Sequence, residues 1–314
     1  SVSGVPLSLW ALRSEHMFSQ LGSAWYNICI SNELMSNRVY CWVAITAYYA
    51  TLHSARTILF VSDNVMRFYS RRLGLRRGRY VILYPLPKVF SRHLSFIKLL
   101  INNDYPLTCV DEVSSNELQR IFGIKDLGQI RYGLKVLSEV KSCLKIDSGY
   151  LKEVGERLRI LKNVREAFTY IHVVIAHQIR RHTHFIEEIS GKTCDIALDT
   201  VCNLTSIIVD NYLLAKDTIP EGMKPYFLKH FLEEVDQCMK LIKKERGVLP
   251  SKLNNLLEEV KDKVSDEITR YPFDNELYRK FMEYTYTRYF DFKARTYRTL
   301  EGLLCELNKI MRGN

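Results

Sequence analysis

NRVYCWVAITAYYATLHSARTIL, residues 37–59, is the stretch on which the fold class turns. Val39, Trp42, Val43, Ile45, Tyr49, Leu52 and Leu59 spread a wide apolar face at helical spacing, with no Gly or Pro between them. Ala44, Ala47, Ala50 and Ala55 are small enough to let neighbouring helices approach closely. From Val39 to Ala55 no charge interrupts, but the stretch is shorter than the ~20 residues of a membrane span and carries Tyr, Thr and His. It therefore predicts the central, buried helix of a bundle.

Working outward, Ser36-Asn37 offers an N-cap that separates this helix, expected over 37–62, from an earlier one over 15–31. A short basic helix is predicted at 64–73. The segment YVILYPLPKVF, 80–90, has a strand-like apolar run, but its two prolines make it an extended connector. Further helices are expected at 91–102, 114–122, 125–144, 149–188, 195–215, 223–246, 250–269 and 274–310. The punctuation lies at Ser190-Gly191-Lys192-Thr193, Pro220-Glu221-Gly222, Gly247 to Pro250, and Pro272. The expectation is an all-α chain, divided at the first of these breaks into residues 5–190 and 191–314.

Composition agrees. The 314 residues hold only 14 Gly and 8 Pro, too few for the turns of an all-β fold, and are 47% hydrophobic, enough for a large core. The eight cysteines lie far apart, with no CxxC half-site for zinc or redox chemistry. Such dispersed thiols, with no secretory signal pattern in the opening residues, lead us to expect a cytoplasmic protein with no membrane segment. Ser1-Val2-Ser3-Gly4 lacks an initiator Met and is set aside as a cloning remnant. Several chemistries are excluded by pattern. Gly191-Lys192-Thr193 ends like a phosphate-binding loop, but Ile186 stands where that loop needs Gly and no strand precedes it. His172, His177, His182 and His184 lack the i, i+4 spacing that puts two imidazoles on one helix face. Neither a metal nor a cofactor is expected.

Charge is uneven. Residues 1–100 hold 12 Lys and Arg against 3 Asp and Glu, whereas the remainder holds 33 against 32. The basic excess is concentrated at Arg67, Arg71, Arg72, Arg76, Arg77 and Arg79, interleaved with Phe68, Tyr69 and Tyr80. Guanidiniums grip phosphates in pairs of bonds and stack on bases, so this stretch is a candidate rail for a nucleic-acid backbone; a solvated basic turn is the plainer alternative. Arg180 and Arg181 form a smaller patch. In the last helix Tyr278, Phe281, Tyr284, Tyr289 and Phe292 alternate with cations, a pattern that fits aromatic core with long cations over its rim better than base stacking.

Two stretches carry a family resemblance. Ala47-Tyr48-Tyr49-Ala50, followed by Leu52-His53-Ser54-Ala55-Arg56, resembles the second helix of HEPN-type bundles. About 115 residues later, Arg165 and His172 are separated by six residues, as in the Arg…His signature of that family. Seven positions are about two helical turns, ~10 Å, and return to the same face. The resemblance covers roughly residues 15–190; 191–314 resembles nothing we can name. It implies an up-down helical bundle acting as a metal-independent endoribonuclease of toxin–antitoxin or phage-defence type, in which two protomers face each other across the Arg–His helix. RNA would be the substrate, and an antitoxin or defence protein a partner. Arg165 would hold the phosphate, His172 would move a proton, and Tyr170 would orient the phosphate or stack on a base. This chain departs from the pattern at Glu166, a carboxylate where a small polar residue is usual, and in the long interval between signatures. The alternatives are a non-catalytic helical module binding nucleic acid or a protein, and a scaffold whose basic part docks on an acidic protein.

Overall fold

The computed structural model describes residues 7–74, 86–174, 179–246, 249–283 and 305. Among these residues there is no strand, and the all-α expectation holds. The chain opens with α1 (Leu7–Ser36) and α2 (Tyr40–Thr57), which runs into a 3-10 turn at Ile58–Val61. Phe18, Leu21, Trp25 and Ile28 recur at helical spacing and are buried on α1, and Val43, Ala44, Ala47, Tyr48, Ala50 and Ala55 on α2. Small residues on α2 against large ones on α1 give the most extensive helix pairing in the molecule.

The turn between these helices differs from expectation. Ser36-Asn37 does not cap α2: Ser36 closes α1, and the residue before α2 is Val39, whose side chain makes no capping bond. Arg38 adopts a left-handed φ of 60°, its amide donates to Met35 O (3.1 Å), and the Val39 amide donates to Leu34 O (2.8 Å). That pair of bonds is a Schellman ending of α1, which satisfies carbonyls the helix would otherwise strand. Asn37 thus belongs to the stop of one helix, not the start of the next.

Next along the chain come α3 (Asp63–Gly74), a single turn α4 (Lys88–Ser91), α5 (His93–Ile101), α6 (Ser115–Phe122), α7 (Leu127–Leu144) and α8 (Ser148–Val174). The extended connector expected at 80–90 ends in helix at α4, whose Val89 and Phe90 are buried; 80–85 lie outside the described residues. Ser114 and Asp126 cap α6 and α7, accepting from the amides of Glu117 (3.3 Å) and Gln129 (3.0 Å). α5 crosses α8 at Gly155, where a Cβ would stand 2.9 Å from Leu100 Cβ and 3.0 Å from the Ile101 amide nitrogen. Only glycine permits so close a crossing.

The helical break expected at residues 190–193 is absent. Ser190, Gly191, Lys192 and Thr193 lie inside α9 (Ile179–Ile208). The hydroxyls that suggested a loop are accommodated within the helix: Thr193 Oγ1 donates back to Ile189 O (2.6 Å), Ser190 Oγ reaches Tyr40 O (3.5 Å), and Lys192 pairs with Glu188 (2.6 Å). α9 packs against α2, α1 and α11. It ends in a π turn at Val209–Leu213, which widens the helix by one residue and aims Tyr212 at Arg13 of α1 (2.9 Å).

α10 (Lys224–Arg246), α11 (Ser251–Ile268) and a helical stretch at 275–283 complete the described chain. Phe281 is fully buried, and Tyr278 stacks on Tyr226 (6.2 Å) and Phe281 (6.4 Å), so this part of the aromatic series is core; Tyr284, Tyr289 and Phe292 lie outside the described residues. Lys224 has no exposed surface. Its Nζ meets Glu267 (3.1 Å) and the carbonyls of Leu214 (3.2 Å) and Ala215 (3.1 Å), beneath the Tyr271 ring (5.2 Å). All eight cysteines are free, and no helix among the described residues is long and apolar enough to cross a membrane.

Candidate functional site

Three helices meet at the candidate site. α2 supplies Tyr48, Tyr49, His53 and Arg56; Tyr49, His53 and Arg56 are spaced i, i+4, i+7 and so share a face. α5 supplies His93 at its first position, and α8 supplies Lys162, Arg165 and Glu166. Tyr48 is buried and the others are half-buried, which leaves the cluster reachable from solvent.

The two tyrosines form its floor, rings 5.4 Å apart at 62°. The Arg165 guanidinium lies over both, 5.3 Å from the Tyr48 centroid and 5.4 Å from that of Tyr49. The quadrupole of each ring attracts the cation without neutralising it. His93 approaches the same rings, 5.7 Å from Tyr48 and 6.1 Å from Tyr49, with its Nδ1 2.9 Å from the Tyr48 hydroxyl. Arg56 donates from Nη2 to Phe90 O (3.1 Å) and Ser91 O (2.9 Å), the trailing carbonyls of α4, whose partial negative charge suits a cation. Its Nε is buried and has no hydrogen-bond partner. His53 donates from Nδ1 to the side-chain oxygen of Gln20 on α1 (2.8 Å).

Charge in this cluster is lopsided. Glu166 pairs with Lys162 (2.5 Å), which leaves Arg56 and Arg165 without a carboxylate partner among the described residues. The titrating groups respond accordingly. Burial, reinforced by Arg56 and His93, pushes the His53 imidazole down to about 4. Burial also lowers His93, with Arg56, Arg165 and Lys162 adding to the effect. Burial raises the Tyr48 phenol to about 12, although Arg165 and Arg56 pull the other way. At neutral pH the cluster therefore presents two guanidiniums, two neutral imidazoles and a protonated phenol. The group such an arrangement lacks is an anion, and Arg with neutral His suits a phosphate.

Of the residues singled out from sequence, Arg165 is at this site, in contact with the helix-two signature. Tyr170 and His172 lie further along α8, by one and two turns; their side chains lie outside the described residues. Of the arginine rail, Arg67 is exposed on α3, the side chains of Arg71 and Arg72 lie outside the described residues, and Arg76, Arg77 and Arg79 do so entirely. The side chains of Arg180 and Arg181 on α9 are likewise outside them. His93 was missed: a single histidine outside every marked motif gives no spacing to read. His53 and Arg56 were visible within the helix-two motif, but with no role attached to them.

Arg67 lines a different feature, an open cavity of about 900 Å³ between α1, α3, α7 and the segment after the π turn. Arg13, Arg67, Lys145 and Lys216 face Asp63, Glu139, Asp217 and Glu221 around it. Arg13 is bonded to Asp63 (2.5 Å) and Tyr212, and Glu139 to Ser62 and Asn64, so these groups are already engaged, and four cations balance four carboxylates around the rim. No group of three or more metal-ligating side chains occurs among the described residues. Comparison with family models, curated proteins and solved structures finds no match to this chain.

Proposed function

We propose that this chain is a metal-independent endoribonuclease of the kind found in toxin–antitoxin and phage-defence systems, with a HEPN-like bundle in its first part and a helical extension behind it. The observation that carries this reading is the contact of the Arg165 guanidinium with Tyr48 and Tyr49. Arg165 of the second signature lies against the tyrosines of the first, more than a hundred residues away along the chain, in a cluster with excess positive charge. Arg165 binds the scissile phosphate and offsets the charge that grows on its oxygens, and His172 transfers a proton. The half-buried Tyr49 ring suits stacking of a base beside that phosphate. A second protomer facing α8 completes the cleft, and the basic residues from Arg67 to Arg79 guide the strand toward it.

The test is cleavage of RNA in EDTA by the wild type, Arg165→Ala and His172→Ala, with analysis of the new ends. The wild type is expected to leave 2′,3′-cyclic phosphate, and each variant to lose about 10²- to 10³-fold in rate. Wild-type binding without cleavage would instead support a non-catalytic nucleic-acid module, a reading favoured by the ion pair that Glu166 makes beside Arg165.

A further inference from the structure

We infer that His93 is a second catalytic residue of this site, the group that takes the proton from the attacking 2′-hydroxyl; the inference rests on the ribonuclease reading above. Cleavage by internal attack requires two proton transfers, one from the 2′-oxygen and one to the 5′-oxygen. The α8 signature provides a single imidazole, His172. The fold brings another, from α5, to the tyrosine floor beneath Arg165.

Position supports the assignment. His93 and the Arg165 guanidinium each lie within about 6 Å of both tyrosine rings, so a phosphate bonded to Arg165 is within reach of the His93 ring. Nδ1 is occupied by the Tyr48 hydroxyl, which fixes the ring and leaves Nε2 for a substrate. Where Nδ1–H donates to the phenol oxygen, the lone pair of Nε2 is the acceptor. The groups around it are Arg56, Tyr48, Tyr49 and His53 from α2, and Lys162, Arg165 and Glu166 from α8. The surrounding cations and burial keep His93 deprotonated near neutrality, the state a general base needs. His53 is less suited, because burial pushes its imidazole down to about 4, too weak a base near neutrality.

The step balances without a metal or another reactant. Nε2 of His93 takes the 2′-hydroxyl proton while the oxygen electron pair forms the O2′–P bond. The P–O5′ bond breaks, and the departing oxygen takes a proton from His172. The products are a 2′,3′-cyclic phosphate and a 5′-hydroxyl end.

The experiment compares two oligoribonucleotides in EDTA, one ordinary and one whose 5′-bridging oxygen is sulfur, a leaving group that needs no proton. His93→Ala and His93→Gln are expected to cleave both at least about 100-fold more slowly than the wild type. Free imidazole should restore part of the Ala variant's rate, and the acid limb of the pH profile should disappear. His172→Ala should be slow on the ordinary substrate and near normal on the sulfur one. The Gln variant retains a hydrogen-bonding partner for Tyr48, and its thermal melt controls for folding. His93 variants within threefold of wild type would overturn the assignment while the ribonuclease reading stands. Recovery of those variants on the sulfur substrate would also overturn it, since His93 would then be the acid. A wild type that cleaves neither substrate removes both.

Discussion

Lys224 and Arg165 are both cations held against tyrosine rings, yet their surroundings are opposite. Lys224, the first residue of α10, is sealed against α11 and the segment after the π turn, with a carboxylate and two carbonyls on its three protons, and nothing is left for another molecule to satisfy. Arg165 and Arg56 sit half-exposed where α2, α5 and α8 meet, with rings and carbonyls for company, and one buried N–H of Arg56 is unbonded. A buried charge without compensation costs several kcal/mol, so a fold keeps a cation inside only when it is fully matched. Cations left unmatched at a rim remain available to a ligand. The first centre serves stability; the second is where binding is to be sought.

The contrast can be broken most directly at Lys224. Lys224→Ala should cost about 3–5 kcal/mol in urea unfolding, because the Leu214 and Ala215 carbonyls lose their donor and the lost side chain leaves a cavity, although Glu267 keeps Arg270 and Tyr271. Arg165→Ala should cost no more than about 1 kcal/mol, the value of an exposed cation–ring contact. Equal losses from the two variants would erase the distinction. A smaller effect is expected at the α5–α8 crossing. Gly155→Ala should cost about 1–3 kcal/mol, since the added methyl meets the α5 backbone, and it should also weaken RNA cleavage by parting His93 from Arg165. The last is a slope. His53 is held down to about 4 in the folded chain, against about 6.5 unfolded, so the unfolded chain takes up protons first as pH falls. Stability should decline between those two values, and His53→Gln should flatten the decline in urea midpoints measured across that range.

The fold class was legible because it depends on local periodicity: the apolar faces of α2, α7, α10 and α11 are written in residues three and four apart. Where a residue's meaning depended on a distant partner, reading failed. Ser190 to Thr193 looked like a break because Ser, Gly and Thr favour loops, but their hydroxyls return to their own helix and to Tyr40. Asn37 resembled a cap, yet the chain spends it on the left-handed stop at Arg38. The site was half visible. Tyr48, Tyr49 and Arg165 could be marked from motifs, whereas His93 owes its place to the crossing of α5 over Gly155, which no spacing announces.

The widened turn at Val209–Leu213 has an implication for how the chain tolerates length changes. One extra residue is housed there in the last turn of the helix. Excising a single position would restore ordinary pitch to that turn and move Tyr212 around the helix axis. Tyr212 would then swing away from Arg13, and the connection between the first helix and the carboxyl-terminal half would lose its hydroxyl bridge. An indel elsewhere along α9 would shift the phase of its contacts with α2; this turn is the place where the phase is already set by an insertion.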